Sequence, residues 1–537
     1  MKKWTVALSW LLAMALMLSA CGGGGPGTDS PAPSGSGGVE TPSETGSEPA
    51  DDGSPVYGGV LEVGSYLSPS VLGYTPECGS NTNMQYLRLN FNSLCNYDET
   101  GALCPDLATE WSSDPDTNTL TFKLLEGVKF SDGTDFNSEA VKWNIEQYQQ
   151  AIRSEVAGVE SIETPDDYTV IIHLSEWDSS ALDSIGYMVY YMSPTAVETN
   201  GVEWARENPV GTGPFLLKEW DKGVCISYEK NENYFEEGKP YLDGINMNII
   251  SDSTTLLNAF KNHEIDILGH CDYTRVNMEL DELGYTKESN LTGIGAEGTG
   301  LICSSGVEGS PWADVRVRQA MCYAVDVDAL VEAIGFGYQK KINQWAMEGS
   351  STWSPNVKGY EYDPDKAREL LEEAGYGEGF STVLYSERSD GYAVALAEYL
   401  TDVGIETTVE QIDDTKLSDM MANGWDGLMF HYFTITPDLS LYMNRHLAVD
   451  GAYYAKSIQH PEDCLELIQE IKLAKDAETK QALSWELQEL VYDKYALFGL
   501  PLYTEPLATF VYDNVHDCQW GYYHASAWEP ADTWLSE

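Results

Sequence analysis

Between positions 22 and 55 the chain is almost entirely Gly, Ser, Pro, Thr, Glu and Asp. Such a stretch cannot bury enough apolar surface to order itself, and it reads as a flexible tether. Any fold is therefore confined to the residues after position 55. There are roughly 480 of these, more than one hydrophobic core usually serves, so two or more lobes are expected. No later apolar run is long enough to span a membrane. The chain is 42% hydrophobic and 11% aromatic, enough to build well-packed cores. Its net charge of −56 argues against nucleic-acid binding, which wants basic patches. The charge reads as a solubility surface, with long-range steering of cationic ligands as its second meaning.

The residues before the tether suggest where the protein works. Lys2 and Lys3 precede an apolar run over 6–18, too short for a membrane span of about 20 residues. The run fits the core of a secretory signal. Leu18-Ser19-Ala20-Cys21 resembles a bacterial lipobox, in which the Cys thiol takes a diacylglycerol and becomes the mature N-terminus. The expected division is a signal peptide at 1–20 and a lipidated Cys21 with its tether at 21–56. Two acyl chains on one residue suffice for stable anchoring. The nine later cysteines (Cys78, Cys95, Cys104, Cys225, Cys271, Cys303, Cys322, Cys464 and Cys518) are irregularly spaced and include no CxxC, which argues against a metal cluster. Disulfides and small buried apolar groups both remain open for them.

Local patterns alternate between strand and helix. Leu120-Thr121-Phe122-Lys123-Leu124 alternates apolar and polar residues, as a half-buried strand does. Glu126 to Gly133 adds a turn and a second edge, predicting a hairpin. A helix with a Ser-type cap starts at Ser138, and 168–174 reads as a strand. Asp363 can cap a helix with Pro364 in its first turn and Gly375 at its left-handed stop. Two further helices are expected near 463–475 and 478–494. The class is mixed α/β.

Several blocks carry a resemblance. Pro105-Asp106-Leu107-Ala108-Thr109-Glu110-Trp111 precedes the strand at 120 and the turn ending in Ser131-Asp132-Gly133. Pro209-Val210-Gly211-Thr212-Gly213-Pro214-Phe215 comes next, then Asn233-Tyr234-Phe235 and Ile265-Asp266-Ile267. Asp314-Val315-Arg316-Val317-Arg318-Gln319-Ala320 and Tyr362-Asp363-Pro364-Asp365-Lys366-Ala367 complete the series. In this order, they resemble family 5 of the extracellular solute-binding proteins, which bind oligopeptides, dipeptides and nickel. Gly211 and Gly213 read as positions needing unusual backbone angles, and no Lys succeeds them as a phosphate loop would require. Arg316 and Arg318 read as internal pairs at a helix start, with Arg318 as a ligand clamp the rarer alternative.

The resemblance implies a two-lobed periplasmic-binding-protein-like fold of type II, in the large cluster with an extra subdomain. Mixed sheets would be flanked by helices and hinged on two crossover strands. Lobe I would take 57–292 plus 496–537, with the extra subdomain at about 95–200, and lobe II would take 293–495. Ligand would lie in the cleft between them. In peptide-binding members an acid in the second lobe pairs with the peptide amino terminus, and the matching position falls near Phe433. No acid lies between Asp426 and Asp438 here, so a displaced acid such as Asp438, or a different ligand, is implied. The cleft candidates are Tyr66, Trp345, Tyr385, Trp425, His431, Tyr432, Phe433, Arg445 and Tyr503, each of which could equally serve a core or the surface. Arg445 could grip a carboxylate bidentately.

The implied function is capture of a small ligand, a peptide or peptide-like solute, for import through an ABC transporter. Its partners would be that ligand, the permease subunits and, through the anchor, the outer face of the cell membrane. No cofactor and no bound metal are expected, and the protein would act as a monomer. A binder of metal chelates (His431 with His446 being the pair to inspect), an oligosaccharide binder using some of the 15 Trp, or a ligand-sensing receptor would share the fold. No GxSxG or HExxH occurs, and His263-Glu264 lacks the second His, so no enzyme is expected.

Overall fold

The computed structural model describes residues 54–537 apart from 79–80, 99–101, 270–278, 281, 290–296, 338, 347, 349, 388–390, 435–438, 450, 452, 506–507, 521–527 and 537. Cys21, the signal, most of the tether, Cys271 and Asp438 lie outside the described residues.

Among the described residues, three larger sheets, with two two-stranded ones beside them, organise 55–537. The first has seven strands in the order Thr286–Ser289, Ala508–Val511, Ile267–Leu268, Val60–Ser65, Gly244–Ile249, Cys225–Lys230 and Phe215–Asp221. Val60–Ser65 runs parallel to both its neighbours. The second has six strands: Lys340–Lys341, Leu500–Glu505, Glu297–Cys303, Leu428–Thr434, Phe380–Ser386 and Ile405–Gln411. Here Phe380–Ser386 is parallel to both neighbours, and Glu297–Cys303 is antiparallel to both of its own. The chain therefore passes between these two sheets twice, after Ser289 and after Glu505. The second passage comes later than the expected return at 496, because Leu500–Glu505 pairs with Glu297–Cys303.

The third sheet is a four-stranded antiparallel unit of Ala108–Asp114, Thr119–Leu124, Thr169–Leu174 and Val159–Asp166. Leu120, Phe122, Val170 and Ile172 point inward against Val141 and Ile145 of the helix Ser138–Gln150. The alternation read at 120–124 is that inward face. The hairpin expected over 126–133 does not form against Thr119–Leu124; a tight turn there closes a single antiparallel bridge between Lys129 and Asp135. Thr119–Leu124 already has partners on both edges, so 126–133 adds no strand, and Gly133 N–H donates to the carbonyl of Phe130 at 2.8 Å. The helix at 138 is capped one residue earlier than read: Asn137 accepts from the Ala140 N–H, while the Ser138 hydroxyl donates to the carbonyl of Asp166.

The helix Pro364–Glu373 begins as its sequence reads. Asp363 accepts from the Lys366 N–H at 2.9 Å, and Gly375 takes φ +89°. Gly211 and Gly213 have a different reason for being glycine. Neither lies in the left-handed region, but a Cβ would fall 2.1 Å from the Asn90 carbonyl oxygen at Gly211 and 2.4 Å from the Asn90 carbonyl carbon at Gly213. The segment is packed directly on the end of the helix Asn81–Asn90, where Gly213 N–H donates to Asn90. Arg316 pairs with Asp314 at 2.5 Å on the surface. Arg318 is buried and acts as an internal tie. Its guanidinium donates to the carbonyls of Trp312, Ala313 and Tyr495 and to Gln459 Oε1. Cys78, Cys95, Cys303, Cys322 and Cys464 are buried thiols, and Cys104 and Cys225 are half-buried thiols.

Candidate functional site

The strand Leu428–Thr434 pairs along both edges, with Phe380–Ser386 and Glu297–Cys303, and a core packs on each of its faces. Leu428 and Phe430 join one core, with Leu301, Leu384 and Tyr503. Met429 joins the other, with Trp345, Trp425, Tyr442 and Tyr454, and Tyr385 packs against that core. Strand alternation places His431 on the Met429 side. Register places it one step past the Ser386–Phe430 pair, level with Glu387 at the carboxyl end of a parallel strand. His431 Nδ1 lies 2.9 Å from the Tyr454 hydroxyl, and its Nε2 lies 3.6 Å from Glu387 Oε2. Burial pulls the His431 pKa down to about 4, so the imidazole is neutral at pH 7.

Aromatic rings fill the ground beneath. Trp345 stacks on Phe498 at 4.6 Å and meets Tyr442 edge-on at 5.5 Å. A side chain at Gly300, the residue opposite His431, would come within 3.3 Å of the Trp345 indole nitrogen, so the missing Cβ admits that ring. His446 lies between Tyr442, at 3.9 Å, and Tyr453, at 4.8 Å, and donates from Nδ1 to the carbonyl of Tyr442. Burial lowers its pKa to about 3. Arg445 lies over Tyr453 and donates to its hydroxyl at 3.0 Å.

The structure thus gathers Trp345, Tyr385, Trp425 and His431 about one face, with Arg445 nearby. Trp345 and Trp425 are nearly fully buried there, as floor rather than rim. Tyr503 is apart: it is fully buried on the opposite face, 4.7 Å from Tyr392. Tyr432 and Phe433 come after His431 along the strand, opposite Thr299 and Gly298. Tyr66 is exposed at the carboxyl end of Val60–Ser65 in the first sheet. Both parallel-strand ends are where open α/β sheets present ligand-binding loops. Asp426 is occupied as a turn anchor, its Oδ1 accepting from Ser304 and Ser310. Glu387, Tyr454, Tyr442 and Tyr453 were not foreseen. Among the described residues no group of three or more His, Cys, Asp or Glu is placed to hold a metal ion.

The fold matches solved structures over most of its length. The chain is similar to DppA of Helicobacter pylori, solved in complex with the peptide STSA (TM-score 0.75, 21% identity, 90% of this chain and 99% of that one). It is also similar to the substrate-binding protein CtaP of Listeria monocytogenes (0.78, 18%, 90% and 100%) and to NikA of Brucella suis with Fe(III)-EDTA (0.76, 23%, 88% and 98%). The architecture is that of a type II periplasmic binding protein, two mixed α/β lobes with an extra subdomain. Residues 102–454 match the model of bacterial extracellular solute-binding proteins, family 5, middle region, and the chain belongs to that family. Among curated relatives, the glutathione-binding protein GsiB of Shigella flexneri is 31% identical over 321 residues, 57% of this chain. The match spans 60% of that relative's length.

Proposed function

We propose that this protein is a lipid-anchored receptor that captures a peptide-like solute between its lobes and passes it unaltered to an ABC importer. Family membership supports the transport role, and the names of relatives that bind peptides and glutathione support the ligand class. One observation carries the reading furthest. Glu387, just past the end of the neighbouring strand, lies 3.6 Å from His431, and in this reading it stands in for the acid missing near Phe433. A carboxylate next to a neutral imidazole can receive a ligand ammonium without opposing positive charge. Tyr66, Tyr385 and Arg445 are the proposed accompanying contacts, the first from the other lobe. Closure then arises as a population shift, because a ligand touching both lobes binds the closed form better.

Titration calorimetry with glutathione and with a free-amine tetrapeptide tests this. Glu387→Gln is expected to weaken the bound one by about 2 kcal/mol, near 30-fold, the scale of one charge-assisted hydrogen bond. Unchanged affinity would remove Glu387 from the site. Anchoring is tested apart from ligand. Cys21→Ala is expected to move the protein from the membrane fraction to the soluble one, and a variant that stays with membranes refutes the lipid. In this reading the protein works as a monomer on the outer face of the cell membrane.

A further inference from the structure

One contact joins the four-stranded unit to the six-stranded-sheet unit through residues nearly 300 positions apart. The helix Glu462–Lys472 ends with its last carbonyls in need of donors. These donors come from the loop 176–180. Ser179 N–H donates to the carbonyl of Lys472 at 2.7 Å, and its hydroxyl donates to that of Ile471 at 2.8 Å. The Trp177 indole donates to the carbonyl of Ala474 at 2.8 Å while its ring packs in the core of the four-stranded unit. Charges trace the same line. Lys472 pairs with Glu176 at 2.7 Å, Lys475 with Asp116 at 2.5 Å, and Lys480 donates to the Ser179 carbonyl at 3.2 Å. Lysines near a helix C-terminus also favour its dipole. In a chain with 30 basic and 86 acidic residues, three lysines meeting one loop and its neighbour form a local pattern of opposite charge.

We infer that the loop 176–180 is a clasp that holds the second lobe against the extra subdomain before any solute arrives. Each exposed ion pair contributes little alone. The capped carbonyls and the buried Trp177 add a desolvated centre, and a separated helix end would have to be rewetted. A clasp of this kind raises solute affinity by enlarging the fraction of molecules already closed. It rests on the two-lobed fold and not on the identity of the solute.

The test is Förster transfer between dyes at Glu160→Cys and Glu398→Cys in the full chain, without solute. The parent is expected to show mainly the short-distance population. Lys472→Glu with Lys475→Glu should raise the long-distance population about fivefold, the equivalent of two weak pairs at about 0.5 kcal/mol each. Glu176→Lys with Asp116→Lys in that background should restore the short distance. Trp177→Phe, which keeps an aromatic ring in the core and removes the indole donor, should shift the populations in the same direction as the lysine changes. Raising salt from about 0.1 M to about 1 M shrinks the screening length from about 10 Å to about 3 Å and should open the parent. An open parent, identical distances in every variant, or a charge swap that restores nothing overturns the clasp. Glutathione or peptide binding reports separately on the proposed site, so the two ideas fail independently.

Discussion

Acidification from pH 7 to pH 4 is expected to lower the folding stability by about 3 kcal/mol through three buried groups. His431 and His446 have folded pKa values of about 4 and about 3, below the 6.5 of a free imidazole. As pH falls below 6.5, the unfolded chain binds protons that the folded chain refuses. Stability is therefore lost progressively toward pH 4, at about 3 kcal/mol for each ring. Asp106 works in the opposite sense. Burial raises its pKa to about 7 against the pull of Arg88, so the folded protein takes up a proton that the unfolded chain does not until about pH 4. That returns about 3 kcal/mol over the same range, leaving a net loss near that of one histidine. Chemical denaturation at pH 7, 5.5 and 4 measures the slope. Asp106→Asn should steepen it and His446→Phe should flatten it. Stability that is level or higher at pH 4 would contradict the neutral, dry environment assigned to the two imidazoles.

Arg318→Met is expected to cost on the order of 4 kcal/mol, although Met traces much of the same hydrocarbon path. Arg318 is 1% exposed, and its guanidinium serves acceptors on Trp312, Ala313, Gln459 and Tyr495, which belong to three separate stretches of chain. Removing it strands several buried acceptors, each worth about 1–3 kcal/mol before any rewetting. Arg316→Ala, two residues away, breaks a part-exposed pair with Asp314 and an exposed hydrogen bond to the Glu373 carbonyl, and should cost about 1 kcal/mol. Paired denaturation curves decide the matter. Two variants of similar stability would mean that Arg318 is replaceable packing.

The difference between these two arginines shows what the sequence carries and what it withholds. Both stand in one helical stretch of a motif whose family resemblance the fold bears out, and nothing local separates surface pair from buried tie. The start and stop of Pro364–Glu373 were legible because capping is decided within a turn of chain. Glu387 was not, because it reaches His431 only through the parallel register of Phe380–Ser386 with Leu428–Thr434. The aromatic candidates divided for the same reason. A strand covered on both faces is apolar on both, so its sequence gives no sign of which side looks toward a ligand. Tyr503 went to one side and Trp345 to the other. The strand Leu500–Glu505, inside the stretch expected to belong to the first lobe, pairs with Glu297–Cys303 in the second sheet, a long-range choice that no local pattern carries. Gly211 and Gly213 were recognised as necessary, but the reason lies in the helix end against them, which only tertiary structure reveals.

The buried and half-buried thiols named above have a consequence for life outside the cell. Burial lifts Cys303 to about 11 and Cys78 and Cys464 to about 12, so almost none of these groups is thiolate at neutral pH. Peroxides and exchange partners in an oxidising medium have little to attack while the chain stays folded. Maturation needs no oxidative crosslinking at these positions. Heat removes the protection: once unfolded, the same sulfurs titrate near 8.5, and scrambled crosslinks then make the loss of structure irreversible in mildly alkaline buffer.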